Sequence, residues 1–394
     1  MSFLRTLVLL LIGSLGTLVG AQTAVTDGVS HELAVVRKAQ VSEVTYTLSF
    51  VIPSQKDIPV TGDVAITFDW KGGQEDLQID FQGDIMGPVV VNGQTVPTLH
   101  QSEHILIPAR NLKADTSNRV SISFRSEDKA LNRNNDYLYT LFVPDHARSV
   151  FPCFDQPDIK ARYSLSLTLP EGWTAISNAP LVSVDGLTQQ FGLSDLLPTY
   201  LFSFSAGRFS TQTVERDGRQ LTALYRETDP MKVAQLTPVF DQVALSLRWL
   251  EQYTGIPQPF QKYGIVILPG YQFGGMEHPG CIQLRDQTIF LGEHPTPDEE
   301  MNRLHLIAHE TSHLWFGDLV TMRWFDDVWT KEVFANFMAD KIAREQFPDI
   351  NHDINFLKTH YPAALAIDRT RGTHPIQQPL DNLKNAGLLY GNII

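Results

Sequence analysis

His309-Glu310-Thr311-Ser312-His313, followed after eighteen residues by Glu332, constrains this chain more than any other stretch. Residues four apart on an α-helix share a face, so His309 and His313 can aim both imidazoles at one point. The flanks Leu306-Ile307-Ala308 and Leu314-Trp315-Phe316 are apolar, which sets these polar side chains among core-facing residues. Burying them without a partner is costly, and a bound metal ion supplies the partner. Glu332 lies in a second amphipathic segment with Trp329, Val333, Phe334 and Phe337. Helices from about Glu299 to Phe316 and from Asp327 to Gln346 are therefore expected to face each other. The metal set is then His309, His313 and Glu332, with one position left open, and zinc, one ion per chain, suits it. Glu310 adjoins a ligand without being one, which places it as general base. A metal held this way makes water a nucleophile near neutral pH and polarises a carbonyl, so hydrolysis of an amide bond is the predicted chemistry.

At 394 residues the chain is too long for one ordinary domain. With 43% hydrophobic and 19% charged residues it reads as globular rather than disordered. A net charge of -13 and the lack of any Lys/Arg cluster argue against a nucleic-acid partner. Arg5 precedes an apolar run from Leu7 to Val19, and Val19-Gly20-Ala21 fits the small-residue rule for cleavage. Residues 1–21 are thus read as a secretory signal peptide, with an uncleaved anchor as the alternative. The run is short for a bilayer span and no other stretch is longer, so the mature protein is expected to be secreted or periplasmic, without a membrane span. Cys153 and Cys281, the only two cysteines, are expected to be buried thiols.

From Val41 to Arg226 the chain shows short alternating or β-branched runs. They include Val44–Val51, Val64–Trp70, Val120–Phe124, Tyr163–Leu169, Thr188–Gly192 and Leu201–Phe204. Val89–Val91 and Thr95-Val96 flank Asn92-Gly93, a strong hairpin signal. Past Asp229-Pro230 the period becomes helical from Met231 to Tyr253, and strands are expected at Tyr263–Leu268 and Cys281–Leu284. An antiparallel β domain over residues 22–228 and a catalytic domain over 229–394 follow, an α+β multidomain class.

Beyond the metal motif with its Trp315-Phe316-Gly317, two stretches carry a specific resemblance. One is Phe273-Gly274-Gly275-Met276-Glu277-His278, and the other is Val150-Phe151-Pro152-Cys153-Phe154-Asp155-Gln156-Pro157, followed by Lys160-Ala161 and Ile176-Ser177-Asn178. Together they resemble the gluzincin aminopeptidases, the family of aminopeptidase N and the leukotriene-hydrolysing aminopeptidase. The resemblance implies a thermolysin-like α/β catalytic domain, truncated at its C-terminal end, acting on peptide substrates. It also implies that Glu277 anchors the substrate's N-terminal ammonium, with Gly274, Gly275, Met276 and His278 completing the substrate loop. Such a pair is a charge-assisted contact that would make the enzyme count from the chain end. The two glycines let backbone approach the peptide as a strand pairs with a sheet edge.

The sequence departs from the family in four places. His278 stands where the family has Asn, and Lys331 where it has Asn before the glutamate ligand. Leu141 and Val143 replace a Gln and a Glu of the substrate pocket, which predicts weaker selection for a free N-terminus. The family's oxyanion-donating tyrosine finds its best match one residue past Ile394, with Tyr390 the last tyrosine present, so the chain is expected to be cut before that group. The leading expectation is a zinc aminopeptidase. The alternatives are a peptidase of the same fold with relaxed or endopeptidase specificity and a non-catalytic zinc-containing peptide binder, for which Glu310 would have no use.

Overall fold

The computed structural model describes residues 25–393, the side chains of 390–393 excepted; the expected signal peptide lies outside the described residues. The alternating runs of the first half form a nine-stranded sheet. Its order is Leu181–Asp185, Thr188–Leu193, Ala161–Thr168, Val41–Val51, Thr61–Trp70, Thr116–Arg125, Val89–Val91 and Gln94–Val96, with Asp84–Ile85 also pairing with Thr116–Arg125. Pairing is antiparallel except between Val41–Val51 and Ala161–Thr168, which run parallel. Val44, Tyr46, Leu48 and Phe50 all face the core, as their period of two requires. There Tyr46 stacks on Tyr163, and Tyr163 on Phe202 with ring centroids 4.3 Å apart. A fully buried phenylalanine such as Phe202 contributes about 1.5–3 kcal/mol. Asn92 and Gly93 turn with φ of 51° and 84°, the left-handed pair of a tight hairpin.

The strand expected at Leu201–Phe204 is displaced. Thr199–Leu201 forms a 3₁₀ turn and the strand is Phe204–Gly207. Side chains from Thr199 to Ser205 are buried throughout, so an apolar run did not reveal where backbone pairing begins. Phe204–Gly207 joins Leu131–Arg133, Tyr137–Thr140 and Thr174–Ser177 in a four-stranded sheet, and Leu77–Asp80, His104–Ile107 and Leu99–Gln101 make a third. A helix over His31–Gln40, capped by Ser30, precedes the strands and was not foreseen.

The second half holds a five-stranded sheet ordered Ser210–Arg216, Arg219–Tyr225, Tyr263–Leu268, Ile282–Arg285 and Gly275–Met276. Residue 228, expected as the domain boundary, falls within this sheet: Leu221–Leu224 pairs in parallel with Tyr263–Val266. The change of period marks where helices start, whereas strand pairing is non-local. The helix expected over Met231–Tyr253 is two pieces, Pro230–Val233 and Leu236–Thr254. Pro238 lies in the first turn of the second piece, where a missing N–H costs no helical bond. Gly255 closes that helix with φ 69°. Among the described residues no helix is long and apolar enough to cross a membrane.

Candidate active site

Two helices bring the metal motif together. Pro297–His313 starts on a capping box: Thr296 Oγ accepts from the Glu299 amide and the Glu299 carboxylate accepts from the Thr296 amide at 2.7 Å. It stops at His313, short of the expected Phe316. The turn that follows leaves the Phe316 carbonyl free to accept from His313 Nδ1 at 3.1 Å. Val328–Gln346 packs against it and carries Glu332. Asn336, one turn beyond Glu332, accepts from His309 Nδ1 at 2.9 Å. With both Nδ1 atoms donating, the neutral form of each ring turns a bare Nε2 toward the other, 3.1 Å away. The Glu332 carboxylate lies 3.5 Å from one Nε2 and 3.6 Å from the other.

In that neutral form three electron-rich atoms face one point, and a cation there would take the place of the proton that the carboxylates hold on His313. Donors on a tetrahedral zinc, with bonds of about 2.0–2.1 Å, stand roughly 3.3–3.4 Å apart, so the set fits such an ion. The Glu310 carboxylate belongs to the same cluster, within 4.8 Å of the imidazole nitrogens. Burial is the main influence on Glu310 and, with the Glu277 and Glu332 charges, pushes its pKa up to about 8 against the pull of His313. For His313 burial works downward, but the same two carboxylates prevail and raise it to about 9, a measure of how negative the pocket is. Glu332 itself is held well below the usual range, because Lys331 and His313 outweigh its burial.

The site opens on a cavity of about 800 Å³ between the two halves of the chain. Gly274, Gly275, Met276 and Glu277 line it, as do Leu141 and Val143. Gly275–Met276 is the edge strand of its sheet. Gly275 is also pinned from behind, since a Cβ there would lie 2.3 Å from Glu310 Oε1. His278 is not brought to the cavity. It is fully buried, and that burial lowers its pKa to about 4, leaving a neutral ring. The Tyr390 side chain lies outside the described residues.

Two functional contacts escaped the sequence reading. Asn336 had a signal, its spacing of four from Glu332. Lys331 had none beyond its departure from the family pattern: its ammonium contacts Glu277 Oε1 directly and stands 3.1 Å from Glu332 Oε1. The β-domain motif residues are struts to this site. Lys160 donates to the carbonyls of Asp318 and Leu319, and Asn178 donates to that of Pro279, just past the Glu277 loop.

Comparison with known proteins bears on the family. The Peptidase M1 N-terminal domain matches residues 44–201, and the Peptidase family M1 domain matches residues 239–394. The chain is 28% identical to a probable aminopeptidase 1 of Sulfurisphaera tokodaii, over 82% of this chain and 42% of that protein. It is 29% identical to an aminopeptidase N of Streptomyces lividans, over 83% of this chain and 40% of that one. With a leucyl aminopeptidase of Saccharolobus solfataricus it shares 31% identity over 63% of this chain and 32% of the relative. The chain spans less than half the length of these relatives. Two matching domain models, the related aminopeptidases and the convergent His309, His313 and Glu332 lead to one conclusion: the chain belongs to the M1 peptidase family.

Proposed function

We propose that this protein is a zinc-dependent peptidase of the aminopeptidase type, hydrolysing the N-terminal peptide bond of peptides held in the cavity. The observation that carries the reading is the approach of His309 Nε2, His313 Nε2 and Glu332 to within 3.1–3.6 Å of one another beside Glu310. Those three residues would hold the ion. When bound, zinc supplies a Lewis acid for the substrate carbonyl and a more acidic water. Glu310 takes the proton of the attacking water at its carboxylate and delivers it to the leaving amine. Asn336 and the Phe316 carbonyl hold the two imidazoles in the tautomer that leaves Nε2 bare. The Gly275–Met276 edge offers backbone groups to an extended peptide. On the strength of the signal-like residues 1–21, the protein is placed outside the cytoplasm.

A second reading, relaxed preference for the chain end, is favoured by the apolar Leu141 and Val143 and by the engagement of Glu277 with Lys331. A zinc-containing binder that does not turn peptides over is disfavoured by Glu310. The test compares metal content and hydrolysis of aminoacyl-anilides by the purified protein and by Glu310→Gln. One zinc per chain is expected in both, with turnover in the variant down by roughly 10²–10⁴. Unchanged turnover in Glu310→Gln would overturn the mechanism.

A further inference from the structure

The residue expected to greet a substrate's ammonium already holds one. Glu277 is 3% exposed and Lys331 4% exposed, and the Lys331 ammonium sits directly on Glu277 Oε1. It reaches there from the residue next to Glu332, on the helix facing the Glu277 loop. Three further contacts fix it. Its Nζ lies 3.1 Å from Glu332 Oε1 and 5.4 Å from the centre of the Tyr200 ring, and its stem packs against Gly317, where a Cβ would come within 3.3 Å of Lys331 Cδ. Gly317 has φ 139°, a conformation that side chains rarely adopt, so the bare surface under the lysine stem is built into the backbone.

We infer that Lys331 is an internal occupant of the amine-recognition carboxylate, so that this site does not rank peptides by a free α-ammonium and binds N-acylated termini comparably well. The inference rests on the peptidase reading of the metal centre but not on its chain-end specificity. An incoming ammonium would meet a fixed positive charge paired with Glu277, the one acidic residue among the described residues lining the cavity that is neither a proposed ligand of the ion nor Glu310. Leu141 and Val143, which also line the cavity, supply no anion to balance it. A neutral amide N–H at the same place can donate to Glu277 without that repulsion. Lys331 therefore acts as a specificity-determining residue by taking a place, with no part in proton transfer.

The experiment has two arms. In the first, zinc-loaded Glu310→Gln protein is titrated calorimetrically with a tripeptide amide and with its N-acetylated form, with and without Lys331→Asn. The affinities of the two ligands are expected to lie within roughly tenfold of each other when Lys331 is present. Lys331→Asn should make the free-amine ligand the tighter by roughly tenfold or more, the span of one charge-assisted hydrogen bond. Lys331→Met, which keeps the stem and loses the charge, serves if the Asn variant folds poorly. A hundredfold preference for the free amine in the presence of Lys331, or a ratio unmoved by either substitution, overturns the inference. The second arm needs no substrate: in lysine-labelled protein, the Lys331 ¹⁵Nζ resonance must shift on Glu277→Gln, and an unshifted signal overturns the pairing. If neither ligand binds while that resonance shifts, the pairing stands and it is the peptidase reading that fails.

Discussion

Gly275 lacks a side chain because the Glu310 carboxylate stands where one would go, 2.3 Å from an added Cβ. That distance is far inside contact, so Gly275→Ala must move either Glu310 or the edge strand. A displacement of about 1 Å at a reacting group costs on the order of 10²-fold in rate. We therefore expect Gly275→Ala to lower kcat about a hundredfold with zinc stoichiometry intact, measured by anilide hydrolysis beside metal analysis. An unaltered kcat would mean that Glu310 has room the structure does not show. From the sequence, Gly275 reads only as a backbone able to approach substrate, and its second duty toward Glu310 depends on a helix met decades of residues later in the chain.

On the helix Val328–Gln346 three consecutive tasks sit within two turns: Lys331 on Glu277, Glu332 toward the ion and Asn336 behind His309. Asn336 touches no metal position, but it fixes the ring orientation and tautomer of His309. Loss of such an outer contact costs roughly 10–100-fold in metal affinity. Asn336→Leu should show that loss in competition with a chromophoric chelator, while the helix itself keeps its packing. Undiminished affinity would show that the Val328–Gln346 helix contributes Glu332 alone. The Lys160 and Asn178 struts work at the same scale. They anchor the Asp318–Leu319 turn and the Pro279 loop to the β domain, so the two loops flanking the site inherit their positions from sheets. The sequence reading gave these residues only a family likeness, because a strut is defined by what it reaches and not by its neighbours.

Across the whole molecule one buried charge cluster ties the N-terminal helix to three other segments. Asp80 Oδ1 accepts from Arg37 at 2.7 Å and meets His104 Nδ1 at 2.8 Å, and its Oδ2 accepts from the Asp155 amide at 2.7 Å. Gln156 accepts from Arg37 Nε at 2.6 Å. Burial alone would raise the Asp80 pKa, but the Arg37 guanidinium and the His104 contact outweigh it and hold the carboxyl well below its ordinary value. A carboxyl whose folded pKa is depressed stabilises the fold fully above its unfolded value, about 3.9, and loses that contribution as pH falls toward the folded value. Asp80→Asn, which strands the Arg37 charge, should cost about 3–5 kcal/mol at pH 7. Urea unfolding followed from pH 7 to pH 3 should therefore show stability falling below pH 4 in the parent and a flatter profile in the variant. Parallel profiles would remove Asp80 from the account. The sequence by itself determined the alternating strands of the β module, the helix of the metal motif, and the candidate set of His309, His313, Glu332 and Glu310. Those are matters of local period, since spacings of two, three and four residues fix which face a side chain takes. Tertiary structure alone decided that Ser210–Tyr225 belongs to the sheet of the catalytic half, that His278 turns into the core away from the cavity, and that Lys331 rests on Glu277 from 54 residues away. Contacts of that kind depend on how sheets and helices pack, and no local period records them.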